Sequence, residues 1–133
     1  MSIPIYRGGC LCAGVKYEVT AEIEAVSHCH CSMCRKAHGA AFGTYASVRL
    51  KDHAFTEGAS LIRQYESSSD VTRSFCSVCG SPLAWYSEGE FAEWIAFPLG
   101  TLDTPYIPKT QKHIHTASKA AWHVICDEWP QRD

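Results

Sequence analysis

Two stretches of the chain, YRGGCLCAGVKYEV (residues 6–19) and RSFCSVCGSPLAWY (residues 73–86), follow the same plan. Each holds a short strand-like run, two closely spaced cysteines, a glycine and a second apolar run. This pattern predicts a β-hairpin that presents two thiols at its tip. Gly14 and Gly80 are expected to supply the positive φ of the two turns.

The four thiols at the two tips match the ligand set of a structural zinc site, usually offered as two close pairs. A shared ion would join two distant parts of the chain with an apparent binding energy of about 10–16 kcal/mol. Two other interpretations stay open: disulfides in a secreted protein, and a thioredoxin-like redox pair at Cys76 and Cys79. We favour zinc, because a C-x-C disulfide is strained and no βαβ pattern surrounds the C-x-x-C pair. The predicted ligands are Cys10, Cys12, Cys76 and Cys79.

Between these pairs, the stretch HCHCSMC (residues 28–34) holds three more cysteines, Cys29, Cys31 and Cys34. The last two lie three residues apart at the start of a predicted helical turn, so they share one face of it. The first reaches them from the preceding extended segment. Three protein ligands with one open position is typical of a catalytic zinc rather than a structural one.

The type of ligand predicts the chemistry of this second site. Three thiolates outweigh the two positive charges of zinc, so the ion activates water weakly and suits a further soft thiol better. Coordination would hold that thiol as thiolate, which predicts a thiol-containing small molecule as fourth ligand or substrate. Two alternatives stay open: His28 or His30 completes a second structural site, or the cluster stays free of metal. Against His30, its side chain on extended chain is expected to point away from those of its two cysteine neighbours.

Other residues near the cysteines are weaker candidates for function. Arg35 and Lys36 follow the third cysteine of the middle cluster and are candidate contacts for substrate carboxylates, although they equally fit the exposed face of a short helix. The tail HIHTASKAAWHV (residues 113–124) is a candidate cover for the site, and Cys126 is expected to be an inert buried thiol. Six aromatic residues are candidates for the wall of a pocket, and each also fits the core: Phe42, Tyr45, Trp85, Trp94, Phe97 and Trp122.

Short β-rich runs dominate the rest of the sequence, and turn-forming residues separate them. The one helical pattern covers residues 32–39, where Ser32 is a candidate cap and Gly39 ends the helix. We therefore predict a mainly β protein with one short helix, folded as a single domain over residues 1–133. The expected strands cover residues 15–19, 42–50, 61–67, 71–75, 82–87, 93–99 and 112–117.

Composition and charge argue against several classes of protein. The formal net charge is −2, without the basic footprint that nucleic acid requires. No apolar run approaches the roughly 20 residues that span a bilayer, and the N-terminus has no apolar signal-peptide core. We therefore expect a cytoplasmic protein whose thiols are kept reduced, with no nucleic-acid or membrane partner.

Four segments, GGCLCAGVKYEV, CHCSMCRKAHGAAFGTYASV, SFCSVCGSPL and HIHTASKAAWHV, resemble the successive signatures of the glutathione-dependent formaldehyde-activating enzyme family, which also includes centromere protein V. The resemblance runs from Tyr6 to Trp129 and rests on seven cysteines in 2+3+2 order. It implies a zinc-bound β-tent of antiparallel sheets. It also implies a structural zinc on the two outer cysteine pairs and a second zinc, with an open position, on the middle three.

The activity that the resemblance implies is that of a carbon–sulfur lyase, which joins glutathione and formaldehyde into S-hydroxymethylglutathione or catalyses the reverse reaction. We accordingly predict a zinc-dependent lyase or synthase that acts on a thiol–aldehyde adduct and carries two zinc ions per chain. The alternative is a non-catalytic, zinc-stabilised module that binds a protein partner, in which both ions are structural.

Overall fold

A computed structural model describes residues 4–133 of the chain. Over these residues the chain forms ten β-strands, one α-helix and five short 3-10 helices. The strands are β1 (Tyr6–Gly9), β2 (Lys16–Val19), β3 (Ala25–Cys29), β4 (Gly43–Arg49), β5 (His53–Glu57), β6 (Ile62–Ser68), β7 (Val71–Cys76), β8 (Pro82–Ser87), β9 (Trp94–Pro98) and β10 (Lys112–Ile114). The α-helix, α1, spans Ser32–His38. The 3-10 helices span Leu50–Asp52, Ala59–Leu61, Gly89–Phe91, Leu99–Thr101 and Thr116–Ser118.

The strands form two sheets. β1, β2 and β5 make a three-stranded antiparallel sheet with β2 in its middle. The other seven strands form a sheet in the order β10-β3-β4-β9-β8-β7-β6. Its pairs are antiparallel except for β10 and β3, which run parallel and place Ile114 opposite Cys29. This parallel pair brings the C-terminal part of the chain beside the middle cysteine cluster.

The main apolar core receives side chains from both sheets. Tyr17 of β2 is 2% exposed, and its hydroxyl forms a hydrogen bond with Thr101 Oγ1 at 2.8 Å. Burial of a side chain of this size contributes about 1.5–3 kcal/mol, and the hydrogen bond removes the cost of burying the hydroxyl. The buried members of this core are Tyr6, Tyr17, Val19, Val26, Ala46, Val48, Ala84, Ile95 and Phe97.

The predicted mainly β fold with one short helix is confirmed. Gly39 ends α1 with a φ of 60°, as expected. The N-terminal cap, however, is Cys31 rather than Ser32, because the sulfur of Cys31 accepts the amide of Cys34. The list of expected strands lacks β1, β3 and β5. The first two fall where the sequence predicts a hairpin run and an extended segment before the middle cysteines, but β5 is unexpected, since its short run HAFTE lacks a clear apolar alternation. Among residues 4–133, no helix is long and apolar enough to cross a membrane.

Candidate metal centres

The four cysteines of the outer pairs come together, although two lie near the N-terminus and two in the second half of the chain. We call them the four-cysteine cluster: Cys10, Cys12, Cys76 and Cys79. Their sulfur atoms all lie within 4.8 Å of one another. The sulfur of Cys12 is 3.5 Å from that of Cys10 and 3.8 Å from that of Cys76. The cluster is packed against Val15 and Leu83, which are both buried.

Each pair lies on a tight turn that is closed by a hydrogen bond from a backbone amide. In the first turn the amide of Val15 donates to the sulfur of Cys10 at 3.2 Å. In the second, the amide of Gly80 donates to the carbonyl of Cys76 at 2.8 Å. Gly80 has the expected positive φ, 78°, whereas in the first turn Ala13 rather than Gly14 takes it, at 64°. Gly14 has a steric role instead, because a Cβ there would lie 2.9 Å from Leu61 Cδ1.

The four-cysteine cluster fits a zinc ion. A tetrahedral site with zinc–sulfur bonds of about 2.3 Å places its sulfur atoms about 3.8 Å apart, close to the two measured separations. All eight cysteines of the chain are free thiols, so the disulfide interpretation has no support in the structure. The amide donated to Cys10 and the hydroxyl of Ser81, which lies 3.3 Å from the sulfur of Cys79, are contacts that stabilise thiolate ligands.

The middle cysteines also converge, and we call Cys29, Cys31 and Cys34 the three-cysteine cluster. Their sulfur atoms lie within 4.8 Å of one another. Cys29 ends β3, and Cys31 and Cys34 belong to the cap and first turn of α1. The helix begins directly after β3 because the extended Cys31 caps it, with its sulfur accepting the amide of Cys34. The left-handed Gly39 ends the helix after two turns.

Arg73 of β7 connects the three-cysteine cluster to two neutral side chains. Its guanidinium donates to Cys34 Sγ at 3.6 Å, to the hydroxyl of Tyr45 at 3.1 Å and to Ser67 Oγ at 3.2 Å. The Tyr45 hydroxyl in turn lies 2.6 Å from Nε2 of His38. Because a guanidinium can only donate, the tyrosine oxygen accepts from Arg73 and its proton goes to the histidine.

These contacts set the charge of the cluster. Hydrogen bonds from the Cys29 thiol and from Arg73 outweigh burial and lower the pKa of Cys34, which therefore has thiolate character. Burial, followed by the nearby Cys34, raises the pKa of Tyr45, so its hydroxyl keeps its proton. Burial lowers the pKa of His38, which favours the neutral ring that accepts that proton. One thiolate and one guanidinium thus lie side by side among neutral groups.

A cavity of about 540 Å³ lies against the three-cysteine cluster. All three cysteines line it, together with Tyr45 and Arg73. Part of its wall is apolar and comprises Met33, Val71, Trp85, Phe91, Ala96 and Ile114. Lys112, His115 and Arg132 also line it, so the C-terminal part of the chain forms one side of the cavity. Of the tail HIHTASKAAWHV, only Ile114 and His115 are among the described residues that line it.

Arg35 and Lys36, the predicted substrate contacts, lie on α1 and are not among the residues that line the cavity. The aromatic candidates divide in the same way. Tyr45 and Trp85 line the cavity, and Phe97 is fully buried in the core. The other three lie elsewhere: Trp94 stacks under Arg49, Phe42 packs on His28 and His30, and Trp122 is exposed.

Neither histidine beside the cysteines joins the three-cysteine cluster. The ring of His28 is hydrogen-bonded to Thr44 and Gln111, at 2.8 and 2.7 Å. His30 is fully buried, and its Nε2 lies 2.8 Å from Nδ1 of His113. The three sulfur atoms therefore form a group without a fourth side chain from the described residues.

Cys126 corrects another expectation. It is exposed rather than buried, and it belongs to the C-terminal segment that follows β10 without regular strands.

Sequence reasoning misses Arg73, the cation that contacts the cluster. It lies three residues before Cys76, within a strand that reads as an ordinary half-buried one. A charged residue inside the β-rich run VTRSF (residues 71–75) is the signal that the sequence offers. It cannot identify the partner, since Cys34 lies 39 residues away in sequence.

Comparison with known proteins gives three findings. The family model described as glutathione-dependent formaldehyde-activating enzyme matches residues 5–118. An uncharacterized lyase of Schizosaccharomyces pombe is 30% identical over 89 residues, or 66% of this chain and 63% of that protein, so the match spans less than two thirds of the relative. A crystal structure of a Rhodobacter sphaeroides protein is similar with a TM-score of 0.63 at 24% identity, covering 75% of this chain and 90% of that one. The last similarity concerns the fold.

Proposed function

The chain belongs to the glutathione-dependent formaldehyde-activating enzyme family, and from that premise we propose that it is a zinc-dependent carbon–sulfur lyase acting on a thiol–aldehyde adduct. The observation that carries the proposal is the convergence of three sulfur atoms, without a fourth protein ligand from the described residues, on the wall of a cavity. S-hydroxymethylglutathione is the adduct that the family's description suggests. The family name and the lyase-named relative both support a reaction of this class.

The two clusters would divide the metal chemistry between them. The four-cysteine cluster offers a complete tetrahedral set and would hold a structural zinc. The three-cysteine cluster would hold the second ion, which when bound supplies a soft cation that keeps a substrate sulfur as thiolate. Both clusters offer only cysteine sulfur atoms as donors, and this supports zinc at both, because thiolates favour zinc over magnesium or calcium.

Arg73 is our candidate for the group that binds the substrate oxygen. In the lyase direction the carbon–sulfur bond breaks and its electron pair stays on sulfur. The adduct's hydroxyl proton passes to solvent water, and its oxygen forms the carbonyl double bond. A guanidinium carries five N–H donors, and three contacts account for three of them, which leaves two for an oxygen that gains negative charge.

The cavity supports a small-molecule substrate rather than a macromolecule. Its volume of about 540 Å³ lies within the usual range of ligand pockets. The wall carries Asp133 as well as Lys112, Arg132 and Arg73. The three cations outnumber that carboxylate and would attract the carboxylates of glutathione. We therefore assign substrate binding to this cavity.

A variant at Cys31 tests the proposal. Cys31→Ser keeps an oxygen that can cap α1 but removes the soft thiolate, so the fold should survive while turnover of S-hydroxymethylglutathione is lost. Metal content should fall from two ions per chain to one. Cys126→Ser is the matched control, since Cys126 lies outside both clusters, and it should keep both ions and full turnover.

The cobalt-substituted protein separates the enzyme from a protein-binding module. Added glutathione should change the visible absorption band of cobalt at the three-cysteine cluster, because the open position accepts a thiol. A spectrum that glutathione does not change, with two fully protein-ligated ions and no turnover of thiol–aldehyde adducts, would refute the enzymatic proposal.

A further inference from the structure

A chain of hydrogen bonds joins His30, which lies between two residues of the three-cysteine cluster, to the C-terminal segment. Nε2 of His30 lies 2.8 Å from Nδ1 of His113, and Nε2 of His113 lies 2.9 and 3.2 Å from the carboxylate oxygens of Asp127. His30 and His113 are 0% and 2% exposed. None of the three residues lines the cavity, so the proposed reaction does not use them directly.

The direction of these hydrogen bonds follows from the carboxylate. Ionised Asp127 can only accept, so Nε2 of His113 carries the proton and donates it. In the tautomer of His113 that has its proton on Nε2, Nδ1 accepts, and Nε2 of His30 donates to it. The carboxylate of Asp127 therefore fixes the tautomer of both rings. Nδ1 of His30 is left as a buried nitrogen without a hydrogen-bond partner among the described residues.

The backbone ties the same elements together. The amide of His30 donates to the carbonyl of Ile114 at 3.0 Å, which extends the parallel pairing of β3 and β10 beyond Cys29. His113 is paired with the C-terminal segment, since its amide donates to Pro130 and its carbonyl accepts from Arg132. Two hydrogen bonds of His30 therefore hold the segment Cys29-His30-Cys31. One joins its imidazole to that of His113, and the other joins its backbone amide to the carbonyl of Ile114.

We infer that His113 and Asp127 are positioning residues for the three-cysteine cluster, which act by fixing His30 so that both adjacent cysteines face the cavity. This inference rests on the proposed second metal site. Loss of the carboxylate leaves a buried imidazole N–H without an acceptor and frees both rings to change tautomer and orientation. The sulfur atoms of Cys29 and Cys31 then lose their fixed separation, and an ion bound to only three ligands is sensitive to that separation.

Metal titration against a chromophoric chelator tests the inference without measuring turnover. The unaltered chain should bind zinc in two steps, the tighter at the four-cysteine cluster. Asp127→Ala should weaken the second step by on the order of tenfold, as loss of a supporting hydrogen bond does at metal sites, and leave the first step unchanged. Asp127→Asn should restore most of the affinity, because its amide oxygen still accepts from His113. The exposed neighbour Glu128 supplies the matched control, and Glu128→Ala should change neither step.

His113→Phe keeps a buried ring but removes both hydrogen bonds, so it should reproduce the loss if Asp127→Ala fails to fold. The double variant, Asp127→Ala with His113→Phe, should lose no more affinity than either single variant, since both substitutions break the same chain of hydrogen bonds. A second step of normal affinity in Asp127→Ala and His113→Phe, or equal weakening of both steps, would overturn the inference and leave the proposed function intact. An unaltered chain that binds one ion overturns both.

Discussion

Arg73 Nη2 lies 3.6 Å from the sulfur of Cys34, and the strand that carries Arg73 ends at Cys76, a buried member of the four-cysteine cluster. One strand thus touches both clusters. β7 is paired along its length with β6 and β8, so the residues at its two ends keep a fixed position relative to each other. We expect the four-cysteine cluster to fix the end of β7 and so to hold Arg73 against the three-cysteine cluster.

Removal of the Arg73 guanidinium should impair catalysis more than stability. Arg73→Ala should lower kcat/KM for S-hydroxymethylglutathione by about 10²–10³-fold, because a donor to the reacting oxygen and a counter-charge to Cys34 are lost together. Arg73→Lys should recover part of the rate, since it keeps the charge but not the forked geometry. Steady-state kinetics and thermal unfolding measure the two effects.

The matched control for these variants is Arg63 of β6, whose guanidinium donates to the nearby backbone carbonyls of Ser60 and Ile62 and to no other group in residues 4–133. Arg63→Ala should leave kcat/KM within about twofold of the original value, as expected for a surface position. Equal kinetic losses in the Arg63 and Arg73 variants would mean that the cationic charge of the sheet, rather than the contact with Cys34, supports the reaction.

Loss of one ligand from the four-cysteine cluster should destabilise the whole fold. Cys76→Ser removes a fully buried thiol whose sulfur lies 3.8 Å from that of Cys12. Since binding of a structural zinc contributes folding energy comparable to the stability of a domain, we expect a large fall in melting temperature or no folded protein. Chelation should act in the same direction on the unaltered chain. Cys126→Ser, at an exposed thiol, should melt as the original does; an equal loss there would show that thiol chemistry, not metal, causes the effect.

His53 should make the fold sensitive to acid. Burial lowers its pKa to about 4, and its Nε2 has no hydrogen-bond partner among the described residues. The unfolded chain takes up a proton near pH 6.5 and the folded one does not, so the free energy of unfolding should fall between pH 6.5 and 4, by at most about 3 kcal/mol. His53→Phe keeps the stacking on Tyr17, whose ring lies 5.0 Å away, and removes this dependence. The difference between the two proteins in urea unfolding should be constant above pH 7 and grow below 6.5; a difference independent of pH would contradict the expectation.

The positions of α1 and of most strands could be predicted because their causes are local, whereas β5 offers no such local pattern. Alternation in runs such as VKYEV, and a glycine that ends a helix, depend on neighbouring residues. The parallel pairing of β10 with β3 could not be predicted, because it joins Ile114 to Cys29 across most of the chain. No turn or repeat in the sequence indicates that pairing.

The two cysteine clusters could be predicted for a chemical reason, since thiols in close pairs have few other uses in a reduced protein. Arg73 and Asp127 could not. Arginine and aspartate are ordinary surface residues, and only the folded chain shows that one reaches Cys34 and the other His113. The helix position of Arg35 makes it the more obvious candidate in the sequence, yet proximity along the chain does not bring it to the cavity.

Gly58 supports the first cysteine turn from outside it. Its φ is +75°, and a Cβ there would lie 1.9 Å from the carbonyl oxygen of Gly14. Gly58→Ala should therefore displace the loop that carries Cys10 and Cys12, at a cost of roughly 3 kcal/mol or more, and weaken the tighter zinc-binding step. Gly89→Ala is the matched control, because its φ is +77° but a Cβ there meets no atom within 4 Å. It should cost only the roughly 1–2 kcal/mol of the left-handed backbone and leave metal affinity unchanged. Urea unfolding with zinc titration compares the two variants, and similar losses in both would show that backbone strain alone, and not the contact with Gly14, accounts for the effect.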